Sequence, residues 1–402
     1  MPKNLIHTAL LRLFGLWFLP EFQSGLVNFT YSVKESAMDI SSQSYKLLSL
    51  IAISGECNRQ VCGLLSIPDS YSEKLITKLK SDGLIKIHYK DKLRGIRLTR
   101  RGKNLLLSQN SDRFSFYLSG NSETNRPRSD LPRRLRLQQG SLTYALLHSV
   151  GILLYPDEKP ILTGTDKTDI LLPVFYGARE WKELGAETIK INNSRALGIL
   201  LCEDALYVLY FTGDHPMKWE YRTELRLKAF LSYHLRQGML QGIYPAKVDV
   251  PIKAILIGDP QDTCCKLMES NGGYRKSYFY LDGSFEYVHF VSATTEGKSA
   301  LKVLCDSTVK CTLDTLLLSD LEPVDPALTL IHDATKADHP VLLSYDLDML
   351  RISRFRTALS FLGITGHIIC FDFQKDSLQS YFGNLATIET IDLTKFERRF
   401  LR

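Results

Sequence analysis

Between residues 43 and 108 the apolar pattern changes from a helical period to a period of two and back, which constrains the fold more than any other feature of the chain. Residues 43–54 (QSYKLLSLIAIS) put apolar side chains at 47, 48, 50, 51 and 53, the broad stripe of a buried helix. Asn58 reads as the N-cap of a short helix over 59–65, which Pro68 and Asp69 break. Ser70 reads as the cap of a third helix over 71–81, where Tyr71, Leu75 and Leu79 share one face. Gly83 stands where a left-handed C-cap belongs. From residue 84 the pattern alternates. Ile85, Ile87 and Tyr89 point one way and Lys86, His88 and Lys90 the other, before Lys90-Asp91-Lys92 turns the chain into a second strand over 93–98. Thr99 then caps a helix over 100–108.

Three helices, a hairpin and a further helix follow the order of a winged helix-turn-helix. Taking Leu75 as the buried centre of the third helix, a rotation of 100° per residue sends Glu73, Thr77 and Lys80 to the opposite side, flanked by Ser70 and Lys74. Ser70, Lys74, Thr77 and Lys80 are therefore the expected groove contacts, with Lys78 nearer the core edge. The wing adds Lys86, His88, Lys90, Lys92, Arg94 and Arg97 within a dozen residues, and Arg100, Arg101 and Lys103 follow on the next helix. Such a cluster suits phosphates, which position a protein on DNA more than they specify sequence. A winged helix used for protein contact is the competing reading of the same elements.

Charge is distributed in the same sense. Residues 1–140 hold 22 Lys/Arg against 11 Asp/Glu, and residues 141–402 hold 28 against 33. A basic front on an acidic back suggests a polyanion-binding module carried by a second domain, although a solvated basic face would show the same balance. The eight cysteines form no CxxC pair and no His cluster completes a zinc site, so free thiols in a reducing cytoplasm are expected. Residues 5–19 (LIHTALLRLFGLWFL) make an apolar run that His7 and Arg12 interrupt, too short to span a bilayer and followed by no A-x-A-like site. Three readings stay open for this extension: a helix packed on the body, a partner- or membrane-surface helix, and translation from a start codon upstream of Met38.

Residues 119–136 (SGNSETNRPRSDLPRRLR) read as a basic linker, its arginines either touching phosphates or simply solvated. A helix over 134–150 leads into a region of mixed pattern, with a hairpin over 196–201 and 206–211, an amphipathic helix over 218–235, and strands over 252–257, 288–291, 341–344 and 367–373. Helices over 347–361 and 376–382 lie between them. This alternation belongs to an α/β domain with a mixed, mostly parallel sheet. The expected architecture is thus α+β and multidomain: an extension over 1–37, a winged helix-turn-helix over 38–118, the linker, and an α/β domain over 137–402 that divides, if at all, near 245.

No catalytic signature stands out. A Walker loop, a G-x-S-x-G elbow, a His-x-x-x-His pair and a tyrosine beside a His triad are all missing. Thr163-Gly164-Thr165-Asp166 resembles a phosphate-binding turn only loosely. Asp259, Asp346 and Asp372 stand near strand ends, where α/β sites form but where ordinary caps also stand. No cofactor, metal or catalytic residue is expected.

The segments SYKLLSLIAISGECNRQVCGLL, RGIRLTRRGKNLLL and RFSFYLSGNSETNRPRSDLPRRLRL resemble the replication-relaxation proteins of bacterial plasmids and integrative elements. The resemblance continues through SRALGILL, YVLYFTG and MKWEYRTELRLKAFL. It implies a cytoplasmic factor of a mobile element that binds duplex DNA in replication or relaxation, alongside other replication or mobilisation proteins and without a membrane. It also implies a back half like a degenerate nuclease. A metal-dependent nuclease of that class needs a strand-borne Asp followed by Glu-x-Lys. Here Asp204 precedes a strand with no acid or lysine, and Glu224 and Lys228 stand four apart on a helix, where an i,i+4 ion pair is expected. A transcriptional regulator whose back domain binds a ligand or partner is the first alternative, a metal-dependent nuclease the second.

Overall fold

Ser42, whose side chain accepts a hydrogen bond from the Tyr45 amide, starts the first helix, α1 (Gln43–Ser54). The structure, a computed structural model, describes residues 38–39, 41–162, 172–182, 191, 193–236, 250–324 and 331–401. The extension over 1–37, the turn at Thr163–Asp166 and residue 245 lie outside them. Helix α2 is Val61–Leu64, with Gln60 at its N-cap. Asn58 does not cap it; its side chain donates to Gln60 Oε1 at 2.9 Å. Helix α3 is Asp69–Ser81 and starts two residues earlier than the spacing suggests, with Pro68 as N-cap. Ser70 therefore sits inside the first turn. Asp69 beside it places a negative charge at the positive end of the helix dipole.

Strands β1 (Ile85–Lys90) and β2 (Leu93–Leu98) pair antiparallel from Ile85↔Leu98 to Lys90↔Leu93. Asp91 and Lys92 make the turn at φ 52° and 58°, both left-handed, as a tight hairpin with right-handed strand twist requires. Cys57 pairs with Ile96 across the other edge of β2. Thr99 caps α4 (Arg100–Gln109) as expected, accepting from the Gly102 amide. Helices α5 (Ser111–Leu118) and α6 (Leu131–Ser149) complete the front half.

The segment over 119–136 is no open linker. Arg134 is fully buried in the first turn of α6. Its Nη1 donates to the Lys90 carbonyl at 2.8 Å, and its Nη2 to the carbonyls of His88 at 2.9 Å and Leu93 at 3.0 Å. Buried Glu56, which follows α1, accepts from Arg134 Nε at 3.0 Å, from Arg97 Nε at 2.6 Å and from Gln138 Nε2 at 2.7 Å. Arg97 also donates to the carbonyls of Pro127 and Arg128. One carboxylate thus gathers the hairpin, α6 and the connecting segment. Gly95 allows it: a Cβ at that position would stand 1.9 Å from Glu56 Oε1. Gly95→Ala is accordingly expected to cost about 1–3 kcal/mol by overpacking, read as a lower urea midpoint with an unchanged m-value.

The back half carries two sheets rather than one. The first is ordered β3 (Val174–Gly177), β4 (Gly198–Leu201), β5 (Leu206–Gly213), β6 (Ile252–Gly258), β7 (Val288–Ser292). Its β3–β4 and β4–β5 pairs are antiparallel, and β5–β6 and β6–β7 are parallel. A division at 245 would part β5 from its neighbour β6. The second sheet is ordered β11 (Ala386–Ile391), β10 (Gly366–Phe371), β9 (His339–Leu343), β8 (Ala334–Lys336). Here β8–β9 is antiparallel and the other two pairs are parallel. The helices between strands are α7 (Ala178–Lys182), α8 (Tyr221–Arg236), α9 (Thr263–Met268), α10 (Thr295–Cys305), α11 (Ser307–Leu318), α12 (Met349–Leu362) and α13 (Lys375–Phe382). Helix α14 (Leu393–Phe400) closes the described chain. Two strands carry crossovers of opposite lengths: β9 to β10 needs only α12, whereas β5 to β6 encloses α8 and an undescribed stretch.

Strand alternation sorts the core. Phe175, Leu200, Tyr207, Leu209, Ile255 and Ile257 face the front helices and share one core with Leu47, Leu50, Leu106, Phe114 and Leu146. Val174, Ile199, Val208, Tyr210 and Leu256 face the other way, into a core with Leu227 of α8, Phe355 of α12 and Leu342 and Ile368 of the second sheet. Because the front helices lack a closed core of their own, residues 38–402 form one compact unit. No helix among the described residues is long and apolar enough to cross a membrane.

Candidate nucleic-acid interface

Helix α3 buries Ser72, Leu75, Ile76 and Leu79 and leaves Ser70, Glu73, Lys74, Thr77, Lys78 and Lys80 exposed. Leu75 is the buried centre that the 3.6-residue period requires. Glu73 is neutralised by Arg59 at 2.6 Å, and beyond Asp69 in the first turn the other charged side chains on the outer face of α3 are cations. On the hairpin and α4, Lys86, Lys90, Lys92, Arg94, Arg100 and Arg101 are exposed. Among the described residues, no carboxylate pairs with Lys74, Lys78, Lys80, Lys86, Lys90, Lys92, Arg94 or Arg100. A row of unpaired cations on a rigid frame repels itself, and a polyanion relieves that repulsion.

Two expected contacts leave the set. Arg97 is 6% exposed and occupied by Glu56. His88 is half-buried, with Nε2 enclosed and unpartnered. Burial, together with the charges of Arg97 and Arg134, holds its pKa below the usual imidazole value. A neutral, enclosed ring gives a phosphate nothing. Alternation along a strand places both residues on a face but does not reveal that α6 covers it.

Two residues enter instead. Tyr89 is 69% exposed at the hairpin tip, although its parity assigns it to the side of buried Ile85; the core ends before the strand does. Arg126 joins Lys86 and Lys103 around a cleft of about 220 Å³, whose fourth cation is Arg97. Lys103 Nζ donates to Asn125 Oδ1 at 3.0 Å and to the Asn125 carbonyl. Burial and the charges of Lys86 and Arg126 pull its pKa down. Only the composition of the 119–136 segment signalled Arg126.

The acids of the back half do other work. Asp346, after β9, pairs with Lys310 at 3.0 Å, and its carbonyl meets His289 Nδ1 at 3.1 Å. Burial pushes the Asp346 carboxyl up, but Lys310 and His289 outweigh it and hold its pKa at about 2. Asp348 caps α12 through the amides of Leu350 and Arg351. Asp372 accepts from the amides of Phe373 and Leu393. Asp259 follows β6 on the other sheet, its pKa raised by burial. Asp346, Asp348 and Asp372 are thus occupied in capping and pairing. Among the described residues no group of three or more His, Cys, Asp or Glu is placed to hold a metal ion, and none of the eight cysteines is in a disulfide.

The expected Glu224–Lys228 pair does not form. Glu224 turns inward and accepts from Ser194 at 3.0 Å and from the Tyr210 hydroxyl, while Lys228 reaches Glu286 at 3.3 Å. Burial raises the Glu224 pKa to about 7, against the opposing hydrogen bonds. An acid whose folded pKa lies above its unfolded value of 4.5 contributes most below that value and loses the contribution as pH climbs to about 7. Glu224→Gln is therefore expected to flatten the pH dependence of the urea midpoint across that window, leaving the variant relatively more stable at pH 8.

No family model matches the chain, and no curated protein or solved structure matches it significantly.

Proposed function

We propose that this chain is a duplex-DNA-binding protein in which residues 38–118 act as a winged helix-turn-helix, α3 entering the major groove and the β1–β2 hairpin serving as the wing. The observation that carries the reading is the set of exposed cations on α3, the hairpin and α4 that no described carboxylate neutralises. In this reading Lys74, Thr77 and Lys80, flanked by Ser70, face base edges. Lys86, Lys90, Lys92, Arg94, Arg100 and Arg101 meet phosphates, and Lys103 and Arg126 extend that contact from the base of the wing. The sequence resemblance to replication-relaxation proteins extends the proposal to a cytoplasmic role in replication or relaxation of a bacterial mobile element. Catalysis forms no part of it: Glu224, an acid that a nuclease-like site would draw on, is committed to Tyr210 and Ser194.

The test is a titration of the full chain with duplex DNA across a salt series. Binding on the order of 10⁻⁶ M or tighter, with a steep negative slope of log K on log salt, is expected. Absence of binding at low salt overturns the reading. A smaller change isolates the wing: Lys92→Gly relieves a left-handed residue, raising stability by up to about 1 kcal/mol. The same change lowers the salt slope by about 0.9.

A further inference from the structure

Between α5, α6 and the β3–β4 edge of the first sheet lies a cavity of about 350 Å³. That volume falls within the roughly 300–1,000 Å³ of small-molecule sites. Its walls are aromatic, from Phe116, Tyr144 and Phe175, and Tyr144 and Phe175 meet edge to face at 5.9 Å. Tyr117 and Tyr144 line it half-buried, and their hydroxyls make no hydrogen bond with another described residue.

The charged groups around the cavity are unequally committed. Glu180 is held by Lys159 at 2.8 Å and by the Gly177 amide at 2.7 Å. Glu123 faces Arg136 at 3.6 Å. Arg179 lies over the Phe116 ring at 4.1 Å and donates to the Phe116 carbonyl at 2.7 Å. Arg195 lines the cavity, is exposed, and has no partner among the described residues. The free charge at the site is thus a guanidinium, the planar donor fork that matches a carboxylate.

We infer that this cavity binds a small, flat aromatic carboxylate: the ring between Phe116, Tyr144 and Phe175, the polar ring substituents on the two phenols, and the carboxylate on Arg195. The site is independent of DNA binding, and each is measured separately on the same protein.

The probe is 1-anilinonaphthalene-8-sulfonate, a singly charged aromatic anion that fluoresces when removed from water, with indole-3-acetate as competitor. The full chain should show one saturable site per chain, displaced by indole-3-acetate. Gly140 lines the cavity, and a Cβ on it would meet nothing nearer than Tyr144 Cε2 at 3.7 Å. Gly140→Leu should therefore fill the space and abolish the site without lowering the unfolding midpoint. Arg195→Glu, at an exposed position with no partner among the described residues, should weaken binding at least about tenfold. Absence of saturable binding to the wild type, or lack of displacement by the carboxylate, overturns the inference. So does a site that survives Gly140→Leu at full affinity. Should Gly140→Leu fail to fold, unchanged affinity in Arg195→Glu overturns it alone.

Discussion

Glu56→Ala is expected to lower the unfolding free energy by about 3–5 kcal/mol, the usual cost of stripping one partner from a buried ion pair. The carboxylate is fully buried and faces two guanidiniums, Arg134 at 0% and Arg97 at 6% exposure. Neither cation can reach water when the acid is gone, and Gln138, which donates to Glu56 Oε1, loses its acceptor as well. Arg134 also holds three hairpin carbonyls, so the loss should spread to the wing. Urea unfolding measures it, and a cycle with Arg134→Ala should be strongly non-additive because both changes act on one network. A loss below about 1 kcal/mol would mean that the network adds little. The pH dependence has a definite sign. Burial pushes the Glu56 pKa up, but the hydrogen bonds from Arg134, Gln138 and Arg97 prevail and leave it below the usual value of 4.5. The stabilisation is present above the unfolded pKa and disappears as pH falls through the folded one. Glu56→Gln should therefore show a shallower acid limb than the wild type.

Lys74→Ala combined with Lys80→Ala is expected to weaken DNA binding by about 2 kcal/mol or more, at least roughly 30-fold, on the basis of 1–3 kcal/mol for each groove contact. Both side chains are exposed on α3 and unpaired, so the unfolding midpoint should stay within about 0.5 kcal/mol of the wild type. The salt series distinguishes two roles. If the lysines meet phosphates, the log–log slope should fall by about 0.9 for each. If they meet bases, discrimination between sequences should fall more than the slope. Unchanged affinity for every duplex would remove α3 from the interface. Arg97→Ala serves as the contrast, since that side chain is expected to act through stability alone.

Much of the front half is legible in the residues because its signals are local. The period of three to four over 43–54, the alternation over 85–90 and the stop at Gly83, which adopts φ 69°, each need only a few neighbouring residues to be read. The cap at Thr99 is equally local. The start of α3 is less legible: Ser70 suits an N-cap, but Pro68, whose ring fixes its own backbone, takes that position and leaves Ser70 inside the first turn. In the back half the strands over 252–257, 288–291 and 367–373 were visible as apolar runs. Their division into two sheets was not, since strands buried on both faces carry no mark of their partners.

By itself, the sequence marked the front helices up to α4, the hairpin, α6, α8, α12, α13 and six of the nine back-half strands, and showed that positive charge gathers on α3 and the hairpin; β3, β8, β11 and the other helices carried no such mark. The tertiary structure decided which of those charges remain available. Arg97 and Arg134 look like their exposed neighbours in sequence, yet both converge on Glu56 from separations of 41 and 78 residues. Periodicity reports a side chain's direction relative to its own element. Burial depends on what the rest of the chain brings to that side, and only a distant carboxylate could turn two apparent phosphate ligands into the bolts that hold the wing to α6.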